Sequence, residues 1–239
     1  MTESSPSGNP LVIFLLDIDG TLMPTNEIDN RCFWQAVDDV LGGAPEPVDL
    51  CGFRHVTDSG ILQEWSEQER GSAPTAVETD TVKERFLELT RHAADRFPWL
   101  FRPTAGLQDW IQDHRKNGLV CIGLATGGWR HTACFKLGRA DLGGYQLPLA
   151  SSDEAISRTQ IMQIALDRTL AHYAIPVTSR DQLQITYIGD GIWDLEASRK
   201  LGWEFIGIAD DQQELKLKEA GARFVVRDFN QLRNQRDLA

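Results

Sequence analysis

The stretch that decides the fold is Leu11-Val-Ile-Phe-Leu-Leu-Asp17-Ile-Asp19-Gly20-Thr-Leu22. In it, six consecutive apolar residues are followed by two aspartates and a glycine. A continuous apolar run of this length is typical of a strand that is buried on both faces of a parallel sheet. Open α/β sheets place their ligands at the C-terminal ends of such strands. The stretch therefore predicts a central strand with a ligand site at its end.

The two aspartates at this strand end indicate a metal site. If the backbone stays extended through Ile18, Asp17 and Asp19 point to the same side, and Gly20 permits a sharp turn after them. Two crowded carboxylates repel each other unless a cation lies between them, and Mg2+ prefers oxygen ligands of this kind. The alternative is that Asp19 and Gly20 form an ordinary turn dipeptide.

Length and composition exclude several partners. The chain has 239 residues, 41% hydrophobic and 25% charged, which is ordinary for a soluble globular protein with a sizeable core. The formal net charge of −11 opposes binding to nucleic acid or to acidic membranes, and no apolar run approaches the ~20 residues that span a bilayer. We expect no nucleic-acid or membrane partner. A small phosphorylated metabolite stays possible if the site has local cations, and the oligomeric state is unknown.

The N-terminus and the cysteines indicate the cellular setting. Residues 1–10 are polar and lack the pattern of a signal peptide, so we expect a disordered tail on a cytoplasmic protein. The cysteines form no Cys-x-x-Cys pair, which favours buried side chains or free thiols over a disulfide framework or a zinc site. They are Cys32, Cys51, Cys121 and Cys134.

Helical periodicity without an intervening strand pattern characterises residues 24–100. Apolar residues recur at helical spacing over 28–41, 58–70 and 81–96. Glycines follow the first two of these segments, as they often do at helix ends. We therefore predict a helical insert at 24–100.

From residue 101 onward the pattern alternates between helix and strand. Helices are predicted at 104–117, 129–139, 157–173 and 211–220. Strands are predicted at 119–124, 146–150, 184–189, 204–208 and 223–226, followed by a polar tail. This alternation predicts right-handed βαβ units and an α/β fold with a doubly wound, Rossmann-like parallel sheet. Its core would comprise residues 11–23 and 101–239.

Two further strand ends carry polar residues. Thr126 and Gly127 follow one strand and precede a helix, where a hydroxyl and backbone N–H groups suit an anion; the alternative is a threonine N-cap beside turn-forming glycines. Asp190 and Asp194 follow another strand, either as a loop residue and a helix-starting residue or as further ligands beside Asp17 and Asp19 in an octahedral Mg2+ site. Because the C-terminal ends of parallel strands share one sheet edge, these residues should converge.

A fixed cation for a phosphate group is the missing component. Arg158 stands at the start of the predicted helix 157–173. An arginine there could bind phosphate oxygens bidentately. It could equally be an exposed residue at a helix end, although a cation is mildly unfavourable at a helix N-terminus.

Together these residues resemble the four motifs of the haloacid dehalogenase-like (HAD) superfamily, over residues 11–22 and 101–228. The resemblance implies a Mg2+-dependent phosphatase, with the helical insert as the family's C1 cap. The implied roles are Asp17 as nucleophile, Asp19 as general acid/base, Thr126 with Gly127 and Arg158 as phosphate ligands, and Asp190 with Asp194 at the metal. The family more often has lysine where this chain has Arg158, so that assignment departs from the usual pattern.

Several alternatives stay open. A phosphomutase would use the same residues but return the phosphoryl group, and a phosphonate hydrolase would need a lysine in the insert, where Lys83 is the only one. A noncatalytic binding protein could share the scaffold. The resemblance implies a small phosphate monoester as substrate. Arg54, His55 and Thr57 could contact its leaving group, or they could be solvated loop residues.

Overall fold

The computed structural model describes residues 11–44, 50–116, 118–176 and 183–234. Its strands are β1 (Leu11–Leu16), β2 (Val120–Ala125), β3 (Leu149–Ala150), β4 (Leu183–Gly189), β5 (Glu204–Ile208) and β6 (Val225–Val226). Within the described residues they form one parallel sheet in the order β3-β2-β1-β4-β5-β6. The predicted central strand and the parallel sheet are confirmed. The tail predicted at residues 1–10 lies outside the described ranges.

Helices cover both faces of this sheet. The helices of the described residues are α1 (Asn26–Leu41), α2 (Asp58–Arg70), α3 (Ala76–Arg96), α4 (Leu107–Arg115), α5 (Arg130–Arg139), α6 (Arg158–His172), α7 (Ile192–Leu201), α8 (Asp211–Glu219) and α9 (Phe229–Asn234), of which α4 to α9 pack on the sheet. Phe14 and Leu16 of β1 face a core that α4, α5 and α9 complete. Ile13 and Leu15 face the opposite core, against α6, α7 and α8. The alternation along β1 thus confirms a doubly wound α/β fold, with α1 to α3 inserted between β1 and β2.

Several predicted boundaries are wrong. Helix α4 begins at Leu107 rather than at residue 104, and the strand predicted at 146–150 comprises only Leu149–Ala150. The helix α3 begins at Ala76 rather than at residue 81, because Thr75 and Glu78 form a capping box around its first turn. The predicted polar tail after β6 contains the helix α9 instead. Phe229 and Leu232 of α9 are buried against the sheet, and this apolar pair explains why the segment folds.

The helical insert has an apolar core of its own. Large side chains from α1, α2 and α3 meet there, among them Phe33, Trp34, Trp65 and Phe86. Trp129, at the start of α5, joins the same cluster although it lies outside the predicted insert. Its ring centroid lies 5.7 Å from that of Phe33 and 5.9 Å from that of Phe86. Trp129 therefore attaches the insert to the segment that follows β2.

Replacing Trp129 by alanine should lower the free energy of unfolding by about 3–5 kcal/mol, because it removes a large side chain from a packed core. Urea denaturation followed by circular dichroism measures this loss. The matched control is Trp99→Ala, since Trp99 is 57% exposed and surface substitutions usually change stability by no more than about 0.5 kcal/mol. Equal losses in the two variants would contradict the anchoring role of Trp129.

The cysteines agree with the prediction as far as the structure describes them. Cys32 and Cys121 are buried and Cys134 is exposed, and all three are free thiols. The side chain of Cys51 lies outside the described part.

Length and apolar character together are what a bilayer crossing requires of a helix. No helix in the described ranges has both.

Candidate active site

The C-terminal ends of β1, β2 and β4 meet beside a cavity of about 550 Å³ between the sheet edge and the helical insert. The residues predicted at these strand ends line it together. They are Asp17, Asp19, Thr126, Gly127 and Asp190, and Arg158 joins them from the start of α6. Asp194 lies behind this lining and is fully buried.

Three of the predicted metal ligands form one carboxylate cluster. Oxygen atoms of Asp17, Asp190 and Asp194 all lie within 4.8 Å of one another. Burial raises the pKa of Asp17, and the nearby Asp194 carboxylate raises it further. The same two causes raise the pKa of Asp190 to about 8. Each carboxylate therefore disfavours the charged form of its neighbours, as expected where a cation belongs between them.

An unsatisfied oxygen supports the fit of a metal ion at this cluster. Asp194 Oδ1 is buried and accepts no hydrogen bond from the described residues. Its nearest cationic atom is Nε of Arg158 at 3.4 Å, too poorly aligned for a hydrogen bond. Buried polar atoms normally have a partner, and a hard cation such as Mg2+ takes carboxylate oxygens as ligands. The donor set of Asp17, Asp190 and Asp194 therefore fits Mg2+.

The fourth predicted metal ligand lies apart from the cluster. Both carboxylate oxygens of Asp19 accept hydrogen bonds from Lys136 Nζ, at 2.6 and 2.7 Å. Thr25 Oγ1 donates a further bond of 2.5 Å to Asp19 Oδ1. The buried charge of Lys136 thus directs the Asp19 carboxylate away from the cluster.

Arg158 lines the cavity from the start of α6. Its Nη1 donates to Asp17 Oδ1 at 3.2 Å, and its Nη2 donates to the carbonyl oxygen of Val56 at 3.1 Å. Burial alone would lower the pKa of Arg158, but the Asp194 and Asp17 carboxylates outweigh burial and raise it. The side chain is 11% exposed. Arg158 is therefore a largely buried cation at the carboxylate cluster, and the alternative of an exposed helix-end arginine does not describe it.

The loop after β2 was expected to offer free backbone N–H groups, and the structure differs in this respect. Thr126 is buried, and its Oγ1 accepts a hydrogen bond from the Gly128 N–H at 3.0 Å. The next two N–H groups, of Trp129 and Arg130, donate to the carboxylates of Asp58 and Asp153. These three backbone donors, expected to be free for an anion, are therefore occupied by the protein itself.

Gly127 lies against Arg158, so that a side chain at position 127 would displace the guanidinium. A Cβ atom at this position would lie 2.7 Å from Arg158 Nη2. The glycine therefore allows the arginine to reach Asp17, which connects two of the predicted phosphate ligands sterically.

Of the three residues predicted to contact a leaving group, one lines the cavity. Thr57 lines the cavity, caps α2 by accepting the Gly60 N–H, and donates to the carbonyl oxygen of Ile156. Arg54 is exposed, and neither Arg54 nor His55 is among the described cavity residues. His55 is half-buried, and contact of any of the three with a leaving group stays a prediction.

Three polar residues that the sequence did not single out, Asn26, Asp29 and Asp58, also belong to the site, together with Lys136. Asn26 Nδ2 donates to Asp190 Oδ2, and Asp58 reaches the loop after β2 from the insert. Lys136 and Asp29 form a buried ion pair with a distance of 2.7 Å. One signal was readable: Lys136 shares the inward face of α5 with Thr132 and Ala133, where a lysine needs a carboxylate partner.

Comparisons with known proteins agree with this geometry. A family model described as haloacid dehalogenase-like hydrolase matches residues 12–208. No curated protein sequence matches the chain. A hydrolase structure from Pseudomonas syringae has 20% sequence identity and a TM-score of 0.67, and the match covers 94% of this chain and 97% of that one.

Two further solved structures share the fold. A protein described as a putative β-phosphoglucomutase from Bacteroides vulgatus has 13% identity and a TM-score of 0.68, with coverage of 97% of this chain and 89% of that one. The CbbY protein from Rhodobacter sphaeroides, in complex with phosphate, has 17% identity and a TM-score of 0.60, with coverage of 93% and 96%. At these identities the likeness concerns the fold.

Proposed function

The chain belongs to the haloacid dehalogenase-like hydrolase family, and we propose that it is a Mg2+-dependent phosphatase that hydrolyses a small phosphate monoester through an aspartyl-phosphate. The observation that carries the proposal is the position of Asp17. Its carboxylate follows the central strand, lies in the cluster with Asp190 and Asp194, and contacts the guanidinium of Arg158. The proposed nucleophile and the proposed phosphate-binding cation therefore line one cavity, and the proposed metal ligands lie beside them.

In the first step, an oxygen of Asp17 attacks phosphorus, and the bond between phosphorus and the ester oxygen breaks. Arg158, which already donates to Asp17, stabilises the negative charge on the phosphoryl oxygens. Thr126 offers its hydroxyl from the neighbouring strand end. A bound Mg2+ would be held by Asp17, Asp190 and Asp194 and would offset the repulsion between Asp17 and the phosphate.

In the second step, water replaces the enzyme carboxylate on phosphorus. Asp19 is proposed to protonate the leaving alkoxide in the first step and to remove a proton from the attacking water in the second. A Cβ atom at Gly128 would lie 3.4 Å from Thr126 Oγ1 and 3.7 Å from Asp19 Oδ2. Asp19 therefore adjoins the loop that carries the proposed phosphate ligand.

The alternatives differ in their support. Phosphomutase activity uses the same residues, and two of the structural neighbours are described as putative β-phosphoglucomutases. Phosphonate hydrolysis is disfavoured because Lys83 pairs with Asp153 at 2.5 Å and is not among the described cavity residues. A noncatalytic binding role has no observation in its favour. A phosphorylated metabolite as substrate is supported by the CbbY structures, which hold phosphate or xylulose-(1,5)bisphosphate.

We expect the purified protein to hydrolyse p-nitrophenyl phosphate in the presence of Mg2+, and we expect EDTA to abolish this activity until Mg2+ is restored. The reason is that the three clustered carboxylates repel an incoming phosphate when no cation balances them. Release of p-nitrophenol gives the rate, and a screen of phosphorylated sugars, phosphoglycolate and nucleotides identifies the preferred ester. Hydrolysis that EDTA leaves unchanged would contradict the metal requirement, and no hydrolysis of any ester would contradict the proposed function.

A further inference from the structure

Lys136 is a buried cation that the proposed phosphoryl transfer does not use. Its side chain is 1% exposed, and its ammonium group is bound by Asp19 on one side and by Asp29 on the other. The distances are 2.6 Å to Asp19 Oδ1, 2.7 Å to Asp19 Oδ2 and 2.7 Å to Asp29 Oδ1. It has no contact with the cluster of Asp17, Asp190 and Asp194 among the contacts of the described residues. Lys136 therefore contacts Asp19, the proposed acid/base, and does not contact Asp17, the proposed nucleophile.

The partners of Lys136 belong to two different parts of the fold. Lys136 lies on α5 and Asp19 follows β1, whereas Asp29 lies in the first turn of α1, in the helical insert. Thr25, which precedes α1, donates to the same oxygen of Asp19 that Lys136 contacts. The orientation of the Asp19 carboxylate is thus fixed by one lysine and by the start of α1.

There is a physical reason for Lys136 to pair with a second carboxylate, that of Asp29. A buried ammonium group that loses its partner is costly, because neither water nor a counter-charge then stabilises it. If Asp19 alone paired with Lys136, turning Asp19 toward a substrate would leave this charge unpaired. Because Asp29 accepts a hydrogen bond of similar length, Lys136 stays paired when Asp19 turns away.

We propose that Lys136 is a positioning residue, which sets the orientation of Asp19 for proton transfer, and that Asp29 keeps Lys136 paired while Asp19 turns to the ester oxygen. The inference rests on the proposed function, since it needs Asp19 as general acid/base. It concerns only the proton-transfer part of the reaction. Lys136 makes no bond to the phosphoryl group and does not change covalently.

The leaving group gives a direct test. Proton donation matters for a strongly basic leaving group, such as the alkoxide from benzyl phosphate, and little for an acidic phenol, such as p-nitrophenol. A loss of Asp19 positioning should therefore slow only the first ester, whereas a general loss of active-site structure should slow both. Lys136→Met keeps the length of the side chain and removes the charge. We expect its kcat for benzyl phosphate to fall by about 10²-fold or more, the range of general acid–base catalysis. Its kcat for p-nitrophenyl phosphate should fall far less, and KM should change little for either ester.

A second variant keeps the test decisive if Lys136→Met does not fold. Asp29→Asn preserves shape and a hydrogen-bond acceptor but leaves Asp19, within the described part of the chain, as the one carboxylate in an ion pair with Lys136. Turning Asp19 then becomes costlier, so benzyl phosphate hydrolysis should again slow more than p-nitrophenyl phosphate hydrolysis. The matched control is Lys83→Met, which removes the ion pair with Asp153, another lysine–aspartate pair between insert and core. It should leave the ratio of the two rates unchanged.

The outcomes separate this inference from the proposed function. Equal losses on both esters in folded Lys136→Met and Asp29→Asn, or wild-type rates in both, would overturn the positioning role and leave the phosphatase proposal intact. Wild-type protein that hydrolyses the aryl ester but not benzyl phosphate would also overturn it, because no proton would then be delivered to a basic leaving group. Wild-type protein without activity on any ester would overturn the proposed function and this inference together.

Discussion

Asp17→Asn is expected to reduce phosphatase activity by at least about 10⁴-fold, as removal of a covalent nucleophile does elsewhere, while the protein stays folded. The amide keeps the shape of the carboxylate but is a poor nucleophile and a poor ligand for a hard cation. Two contributions of Asp17, attack on phosphorus and metal binding, are therefore lost together. The rate of p-nitrophenyl phosphate hydrolysis at saturating Mg2+ measures the loss.

Folding of this variant can be checked independently of activity. The folded state raises the pKa of Asp17 through burial and the Asp194 carboxylate, so it disfavours the charged form at pH 7. A neutral asparagine removes that penalty, and we expect the melting temperature in EDTA to be no lower than that of wild type. Mg2+ should stabilise the wild type more than the variant, because ligand binding adds stability only where the ligand binds.

The matched control for Asp17→Asn is Asp210→Asn. Asp210 also lines the cavity, but it lies outside the carboxylate cluster and caps α8 by accepting from the Gln213 N–H. Asparagine is an equally good N-cap, so this control should retain activity near that of wild type. A folded Asp17→Asn protein that also retains such activity would refute the aspartyl-phosphate mechanism.

Local sequence signals predicted the central strand and the alternation of strands and helices. The apolar run at Leu11–Leu16 and the alternation after residue 101 depend on neighbours in the chain, and the structure confirms both. The start of α3 was also readable, because Thr75 and Glu78 have the spacing of a capping box. The short helix α9 was missed because six residues give too little periodicity to distinguish a helix from a polar tail.

The site was only partly readable for a different reason. Asp17, Asp190 and Thr126 could be placed together because parallel strands end at one sheet edge. Asp29 and Asp58 come from helices of the insert, and their approach to the cavity depends on how the insert packs on the sheet. That packing depends on contacts such as those of Trp129, which no spacing along the chain reveals. The orientation of Asp19 toward Lys136 likewise depends on tertiary packing and not on spacing along the chain.

Arg158→Ala is expected to lower kcat/KM by about 10²- to 10³-fold, the cost of removing one preorganised donor from a transition-state site. The alanine removes the cation in contact with Asp17 and leaves Asp194 Oδ1 without its nearest positive charge. Phosphate should therefore bind more weakly, and inhibition by inorganic phosphate gives a second measurement beside the hydrolysis rate. Arg168→Ala is the control, because Arg168 lies on the same helix and pairs with Glu154.

Arg158→Lys distinguishes charge from geometry at the same position. Lysine is the usual residue there in the family that the sequence resembles, and it preserves the positive charge. The guanidinium, however, reaches Asp17, Asp194 and the Val56 carbonyl with three different nitrogen atoms, and a single ammonium group cannot replace a planar fork. We therefore expect activity between those of Arg158→Ala and wild type. If Arg158→Ala instead matched wild type in rate and phosphate inhibition, Arg158 would serve only to pair with buried carboxylates, and the phosphate would need another cation.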